Sequence, residues 1–99
     1  MLEDPEPATA IVTGNVSVTI GVIRLLRGDF GSTALVGFDD FPLADLLRPG
    51  LTVIAQGEER IGKAIIDLLR ARRAEPERPI QTVVVPTTLI ARGSGEIPA

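Results

Sequence analysis

The sequence of 99 residues contains no cysteine and no histidine. Without cysteine, the chain can form neither a disulfide framework nor a reactive thiolate, which suits a reducing compartment such as the cytoplasm. Without histidine, it lacks the commonest general base and metal ligand, so most catalytic constellations are excluded. We therefore expect no catalytic residues, no metal site, no cofactor and no enzyme activity.

The chain is also poor in aromatic residues and in positive charge. Three Phe and no Trp or Tyr mean that the core must be built from Val, Ile, Leu and Ala. The apolar content of 44% excludes a disordered chain, and the length allows one small domain. A net charge of −3 argues against a nucleic-acid-binding surface, which would be basic. The apolar runs are of strand length, so no membrane span is predicted.

Apolar runs and helical spacing predict alternating strands and helices. Strands are expected at 10–13, 32–38 and 51–55, with one or two more within 80–92, and a helix at 58–73. A short helical turn is expected to start at Pro42. The helix at 58–73 has acidic residues at its start and arginines at its end, as the helix dipole favours. Because the strand runs are continuously apolar, the fold class is α/β, with a mainly parallel sheet and flanking helices.

The segment 14–28 has two interpretations. Alternating valines and isoleucines after Gly14 and Asn15 favour a β-hairpin. Asn15 is equally suited to cap a helix over 16–27, with Gly28 as its stop signal. Periodicity alone leaves both structures open.

Asp39 and Asp40 stand together directly after an apolar run. The pair can start a turn or cap a helix, as Asp often does. Alternatively, one carboxylate faces a ligand, because ligands of parallel sheets bind beyond the carboxyl ends of the strands. Adjacent side chains of an extended segment point to opposite sides, which argues against a catalytic pair. A single Asp can still hold a polyol by accepting hydrogen bonds from two hydroxyls.

Three stretches occur in order at specific spacings: VGFDDFPLADLLRPGLTVIAQ, an amphipathic helix with Ile61-Gly62, and VVVPTTLIARGS. From about Ala10 to Ser94, the chain resembles the C-terminal part of the effector domain of LacI/GalR-type transcription regulators. The resemblance implies a periplasmic-binding-protein-like domain with two α/β subdomains. Such domains bind a small molecule, often a sugar or nucleobase, in the cleft between them. The regulators bind DNA through a separate helix-turn-helix domain and dimerise through the effector domains.

The resemblance also implies roles for individual residues and selects the helix over the hairpin for 16–27. The residues that it places at the ligand are Asn15, Asp39, Gln56 and Glu58. Those that it places at a dimer interface are Ile20, Ile23, Arg24, Leu43, Leu46 and Leu47. Val16 departs from the family, because relatives usually carry Asp there.

The resemblance covers only the final portion of an effector domain. We expect a disordered lead-in at 1–9, the effector-domain portion at 10–94 and a structureless tail at 95–99. The apolar face of the helix at 58–73 then needs another partner, either within this chain or from a second chain. The function implied is effector sensing and dimerisation in a regulator, without DNA binding by this portion. A dimerisation module without a ligand is the alternative, and a small α/β enzyme is the least supported.

Overall fold

A computed structural model describes residues 6–99. Its strands are β1 (Ala10–Thr13), β2 (Ala34–Phe38), β3 (Thr52–Ala55) and β4 (Thr88–Ile90). Its α-helices are α1 (Val16–Leu26) and α2 (Glu58–Ala74), and short 3₁₀-helices span Ala44–Leu46 and Ser94–Glu96. The chain divides into two compact units. The first unit contains the described residues up to Ala55 together with Leu89–Ala99, and the second unit is Gln56–Thr88.

The sheet has the strand order β1-β2-β3-β4. Strands β1 and β2 are parallel, with Thr13 opposite Gly37, and β2 and β3 are parallel, with Phe38 opposite Ile54. The prediction of an α/β fold with a mainly parallel sheet is therefore confirmed. Because the strands run in the same direction, the carboxyl ends of β1, β2 and β3 lie at one edge of the sheet.

The core of the first unit is made of aliphatic residues and one aromatic ring. Its buried hydrophobic cluster consists of Phe30, Leu35, Ala44, Leu51 and Val53. On α1, the one buried residue is Thr19, which lies against Gly37 of β2. A Cβ atom at position 37 would stand 3.1 Å from the Thr19 methyl carbon, so glycine permits this close approach of helix and sheet.

Residues 16–26 form a helix and not a hairpin strand. The Asn15 side-chain oxygen accepts a hydrogen bond from the Val18 N–H at 2.9 Å, which is the predicted N-cap. The backbone N–H groups of Arg27 and Gly28 close back on the last turn at 3.1 and 3.2 Å, a Schellman arrangement. The left-handed residue that ends the helix is Arg27, with φ 54°, so the predicted helix end is one residue late.

The prediction for 80–92 is only partly correct. Residues 80–87 form no strand, and β4 begins at Thr88. A strand needs a neighbour whose backbone groups pair with its own, and the described residues provide none beside 80–87. Ile80 and Val84 of this segment are 93% and 83% exposed, whereas Val85 is half-buried.

The predictions for the two ends of the chain compare differently with the structure. Residues 1–5 of the predicted lead-in lie outside the described residues, and residues 6–9 are in neither a helix nor a strand. The expectation of a structureless tail is wrong. Ser94–Glu96 forms a 3₁₀-helix, Ser94 is fully buried, and Ile97 packs against the core cluster. The turn predicted from Pro42 is present as the shorter 3₁₀-helix Ala44–Leu46.

The second unit is dominated by α2, which confirms the clearest helix prediction. None of its residues is buried, and Ile65 is 58% exposed. The Arg72 guanidinium donates hydrogen bonds to the backbone carbonyls of Pro76, Arg78 and Pro79, and so holds the loop that follows the helix. Within residues 6–99, no helix combines the length and the apolar character that crossing a bilayer requires.

Candidate functional site

Asn15 lies just beyond the carboxyl end of β1, where its position is fixed by several hydrogen bonds. Its side-chain oxygen caps α1, and its backbone carbonyl accepts from both the N–H and the hydroxyl of Thr19, at 3.0 and 2.8 Å. The Thr19 hydroxyl also pairs with that of Thr13 at the end of β1. The amide nitrogen of Asn15 is a separate donor that capping does not use. Asn15 is solvent-exposed, so it can cap the helix and contact a ligand at once.

Asp39 is the first residue after the carboxyl end of β2. Its N–H donates to the Ile54 carbonyl at 2.8 Å, which extends the β2–β3 pairing by one step. Its φ of 80° lies in the left-handed region, which is uncommon for a residue other than glycine and is better tolerated by Asp than by most. Such strained residues cluster at ligand sites, so the backbone itself favours a functional role for Asp39.

Asp40, the next residue, forms an ion pair with Arg92. Its two carboxylate oxygens accept from the two terminal nitrogens of Arg92, each at 2.8 Å, and Oδ1 also accepts from the Phe41 N–H at 3.0 Å. Both side chains are largely covered, with 31% of Asp40 and 19% of Arg92 exposed. The Arg92 guanidinium lowers the pKa of Asp40 below its ordinary value of 3.8. Asp40 therefore has a structural role, and contact of Asp39 with a ligand stays a prediction.

Arg92 was not identified from the sequence as part of this region. Its backbone N–H donates to the Thr52 hydroxyl at 3.1 Å, and its guanidinium also donates to the Leu51 carbonyl at 3.3 Å. The available signal was that Arg92 lies in the stretch VVVPTTLIARGS, which carries part of the family resemblance. That signal could not identify Asp40, which is distant in the sequence, as its partner.

A hydrogen-bonded cluster follows Arg92 and joins the end of the chain to the sheet. The Ser94 hydroxyl donates to the Leu35 carbonyl at 2.6 Å and accepts from the Thr52 N–H at 2.9 Å, so it bridges β2 and β3. The Thr52 hydroxyl donates to the Glu96 carboxylate at 2.9 Å and accepts from the Gly95 N–H at 3.0 Å. The cluster supports the strands that carry Asp39 and was not predicted from the sequence.

The other two predicted ligand residues belong to the second unit. Gln56 directly follows the last residue of β3, and Glu58 is the first residue of α2. Gly57 between them has φ 72°, a conformation that glycine adopts without strain. Contact of either side chain with a ligand stays a prediction.

The residues predicted for a dimer interface gather mostly around one groove in the first unit, here called the apolar groove. It is lined by Ile20, Ile23, Arg24, Phe41, Pro42, Leu43 and Leu47. Five of the six predicted interface residues are among them. The sixth, Leu46, is exposed and lines a neighbouring depression with Asp45 and Arg48. The fold therefore brings α1 and the 41–47 segment together, and their role in dimerisation stays a prediction.

Known proteins share this sequence pattern. The family model for a periplasmic binding protein-like domain matches residues 1–95. The ribose operon repressor of Escherichia coli (strain K12) is 32% identical over 98 residues, covering 95% of this chain and 30% of the repressor. The lactose operon repressor of Rhizobium radiobacter is 33% identical over 94 residues, covering 91% of this chain and 82% of that protein. The chain thus spans 30% of the length of the first relative.

Solved structures show the same fold. A transcriptional regulator LacI of Bacillus cereus subsp. cytotoxis superimposes with a TM-score of 0.86 and 20% identity, over 99% of this chain and 36% of that one. The Lac repressor bound to ONPG gives a TM-score of 0.71 and 22% identity, over 87% of this chain and 27% of that one. The chain belongs to the periplasmic binding protein-like domain family and is homologous to the effector domains of LacI-type transcription regulators.

Proposed function

We propose that this chain is the effector-sensing and dimerising portion of a LacI-type transcription regulator that acts in the cytoplasm. The proposed effector is a small polyol, a sugar or a related metabolite. One observation carries the proposal: Asn15 and Asp39 stand just beyond the carboxyl ends of neighbouring parallel strands, where α/β sheets bind ligands. The names of the ribose and lactose operon repressors support a sugar.

The chemistry of these two side chains suits a polyol. The Asp39 carboxylate can accept hydrogen bonds from two hydroxyls, and charged acceptors form the stronger bonds. The Asn15 amide nitrogen can donate to a ring or hydroxyl oxygen while its oxygen caps α1. Gln56 and Glu58 are proposed as further contacts on the strength of the resemblance.

We propose no catalytic role and no DNA contact for this portion. The chain has no His or Cys, and the hydroxyl of Ser94 is buried in its bridge between Leu35 and Thr52. A net charge of −3 does not provide the basic surface that phosphate contacts require. Salt-sensitive, sequence-specific binding of this chain to duplex DNA would contradict the proposal that this portion makes no DNA contact.

Titration calorimetry with D-ribose and with lactose tests ligand binding. Asp39→Asn keeps the size of the side chain but removes its charge, so the affinity should fall by about 1.5–3 kcal/mol. Asp40→Asn should have a smaller effect, because Asp40 contacts Arg92. The matched control is Asp29→Asn, which makes the same charge change in the loop before β2, at the opposite end of that strand. Equal affinity of wild type and Asp39→Asn would remove Asp39 from the site.

Self-association is the second proposed activity, and the apolar groove supports it. Leu43 at its rim is 66% exposed, and the groove is lined mainly by aliphatic side chains. Exposed apolar patches of this kind usually mark interfaces, and identical chains commonly pair through the same surface on each copy.

Analytical ultracentrifugation at micromolar concentration tests self-association. Ile20→Glu places a charge in the apolar groove and should shift the population toward monomer. Leu25→Glu is the matched control, since Leu25 lies on the same helix, is 88% exposed and does not line the groove. A monomeric wild-type chain, or equal effects of the two variants, would contradict an interface at this groove.

A further inference from the structure

We propose that Arg92 is a positioning residue for the proposed ligand site at the carboxyl ends of the strands. By bonding to both carboxylate oxygens of Asp40, it clamps Asp40 and so holds the adjacent Asp39 in the conformation that binds the ligand. The inference rests on the proposed ligand-binding function. It assigns to the segment after β4 a role in presenting a side chain that stands after β2.

The need for such a clamp arises from the backbone of Asp39. With φ at 80°, Asp39 is in a region that a residue with a side chain leaves readily unless its neighbours hold it. Rotation of this backbone toward an extended conformation would redirect its Cβ atom and therefore its carboxylate. A binding side chain needs supporting contacts that prevent such movement.

Hydrogen bonds hold both Asp39 itself and the residue that follows it. On its own residue, the N–H is bonded to the Ile54 carbonyl at 2.8 Å. On the following residue, Asp40 is fixed by two bonds from Arg92 and by one from the Phe41 N–H. Loss of the Arg92 bonds would leave only the Phe41 bond on the Asp40 carboxylate.

Arg92 is itself immobilised, which makes the clamp stiff. Its backbone N–H bonds to Thr52 of β3, its guanidinium bonds to the Leu51 carbonyl, and the following Ser94 is buried between strands. The planar guanidinium matches both carboxylate oxygens, and a lysine would offer a single charged point in its place. The geometry therefore depends on arginine and not only on a positive charge.

The first test measures the backbone of Asp39 without any ligand. In ¹⁵N-labelled protein, Arg92→Gln should accelerate amide exchange at Asp39 at least tenfold and change its HN–Hα coupling constant. Arg92→Lys should give an intermediate change. The Val18 amide, which is bonded to Asn15, should exchange as in wild type and so report an intact fold. Lys63→Gln breaks the exposed Lys63–Asp67 pair and is the matched control, with no expected change at Asp39.

The second test adds D-ribose. Arg92→Gln should weaken binding about tenfold or more, and the double variant Asp40→Asn/Arg92→Gln should bind no worse than the weaker single variant, because both act through one pair. If Arg92→Gln does not fold, Asp40→Asn replaces it, since it weakens the same pair and keeps the arginine.

The two tests separate the two possible failures. Absence of D-ribose binding by the wild type would overturn the proposed sugar binding, whereas the exchange measurement would still decide whether Arg92 holds Asp39. Wild-type exchange and coupling at Asp39 in Arg92→Gln, or unchanged D-ribose affinity in a wild type that binds, would overturn the positioning role.

Discussion

The two units of this chain differ in how far they cover their apolar residues. In the first unit, Leu35, Leu51 and Val53 are completely inaccessible to solvent. In the second unit, α2 has no buried residue, although its sequence is the clearest helix pattern in the chain. A strong helical period therefore shows that a helix forms, but it does not show that the apolar face of that helix is covered.

The ion pairs of the two units show the same contrast. Asp40 and Arg92 in the first unit are largely covered and are bonded at both carboxylate oxygens. Lys63 and Asp67 of α2 have a single contact at 2.6 Å, with 77% and 55% of their side chains exposed. Only the first pair joins residues that are distant in the sequence, so only that pair helps to hold a tertiary structure.

Truncation of an apolar side chain should lower the free energy of unfolding much more in the first unit than in the second, and this is the largest expected difference between them. Leu35→Ala removes a fully buried side chain and should cost about 2–5 kcal/mol of the free energy of unfolding. Leu69→Ala on α2 removes a side chain that is 44% exposed and should cost about 1 kcal/mol or less. Urea denaturation followed by circular dichroism measures both. Equal losses would show that α2 is covered in solution, for example by a second chain.

Two glycine substitutions, one in each unit, should change the free energy of unfolding in opposite directions. A Cβ atom at position 95 would stand 2.9 Å from Cβ and Cγ2 of Thr52 and 3.0 Å from Cγ2 of Val36, so Gly95→Ala should cost about 1–3 kcal/mol. Position 62 on α2 has nothing within 4 Å, so Gly62→Ala should stabilise by about 0.5–1 kcal/mol through helix propensity. Thermal unfolding gives both signs. A neutral Gly95→Ala would mean that Ser94–Glu96 packs loosely against the strands.

The ion pairs should respond at opposite ends of the pH range. Because Arg92 lowers the pKa of Asp40, the stabilisation is present above the ordinary value of 3.8 and is lost as the pH falls through the lowered one. Asp67 raises the pKa of Lys63, so any contribution of that pair is present below 10.5 and is lost as the pH rises further.

Arg92→Gln should therefore cost about 1–2 kcal/mol at neutral pH, with a smaller loss once the pH falls below the lowered pKa of Asp40. Lys63→Gln should leave the unfolding free energy at neutral pH almost unchanged, because exposed pairs contribute little. Unfolding curves recorded between acidic and neutral pH measure the difference. A loss for Arg92→Gln that does not vary with pH would show that packing of the arginine, and not its charge, is what matters.

Much of the fold could be predicted locally. The apolar runs at 10–13, 32–38 and 51–55 indicated β1, β2 and β3, which form at Ala10–Thr13, Ala34–Phe38 and Thr52–Ala55, and the acidic start and basic end of α2 indicated its limits. For 14–28, the sequence left a helix and a hairpin open, because its valines and isoleucines fit both. The hydrogen bond from Val18 to the Asn15 side chain is the contact that caps this segment as a helix.

The sequence indicates the approximate positions of β1, β2, β3 and α2, a largely aliphatic core, and the polar residues that follow the strands. Those properties depend on periodicity and on caps, which act within a few residues of each other. Three features follow from the tertiary structure alone: Asp40 pairs with Arg92, Ser94 bridges two strands, and residues 80–87 form no strand within the described part of the chain. These outcomes depend on sheet register and on which backbone groups lack a neighbour, and neither is encoded in any short stretch of the chain.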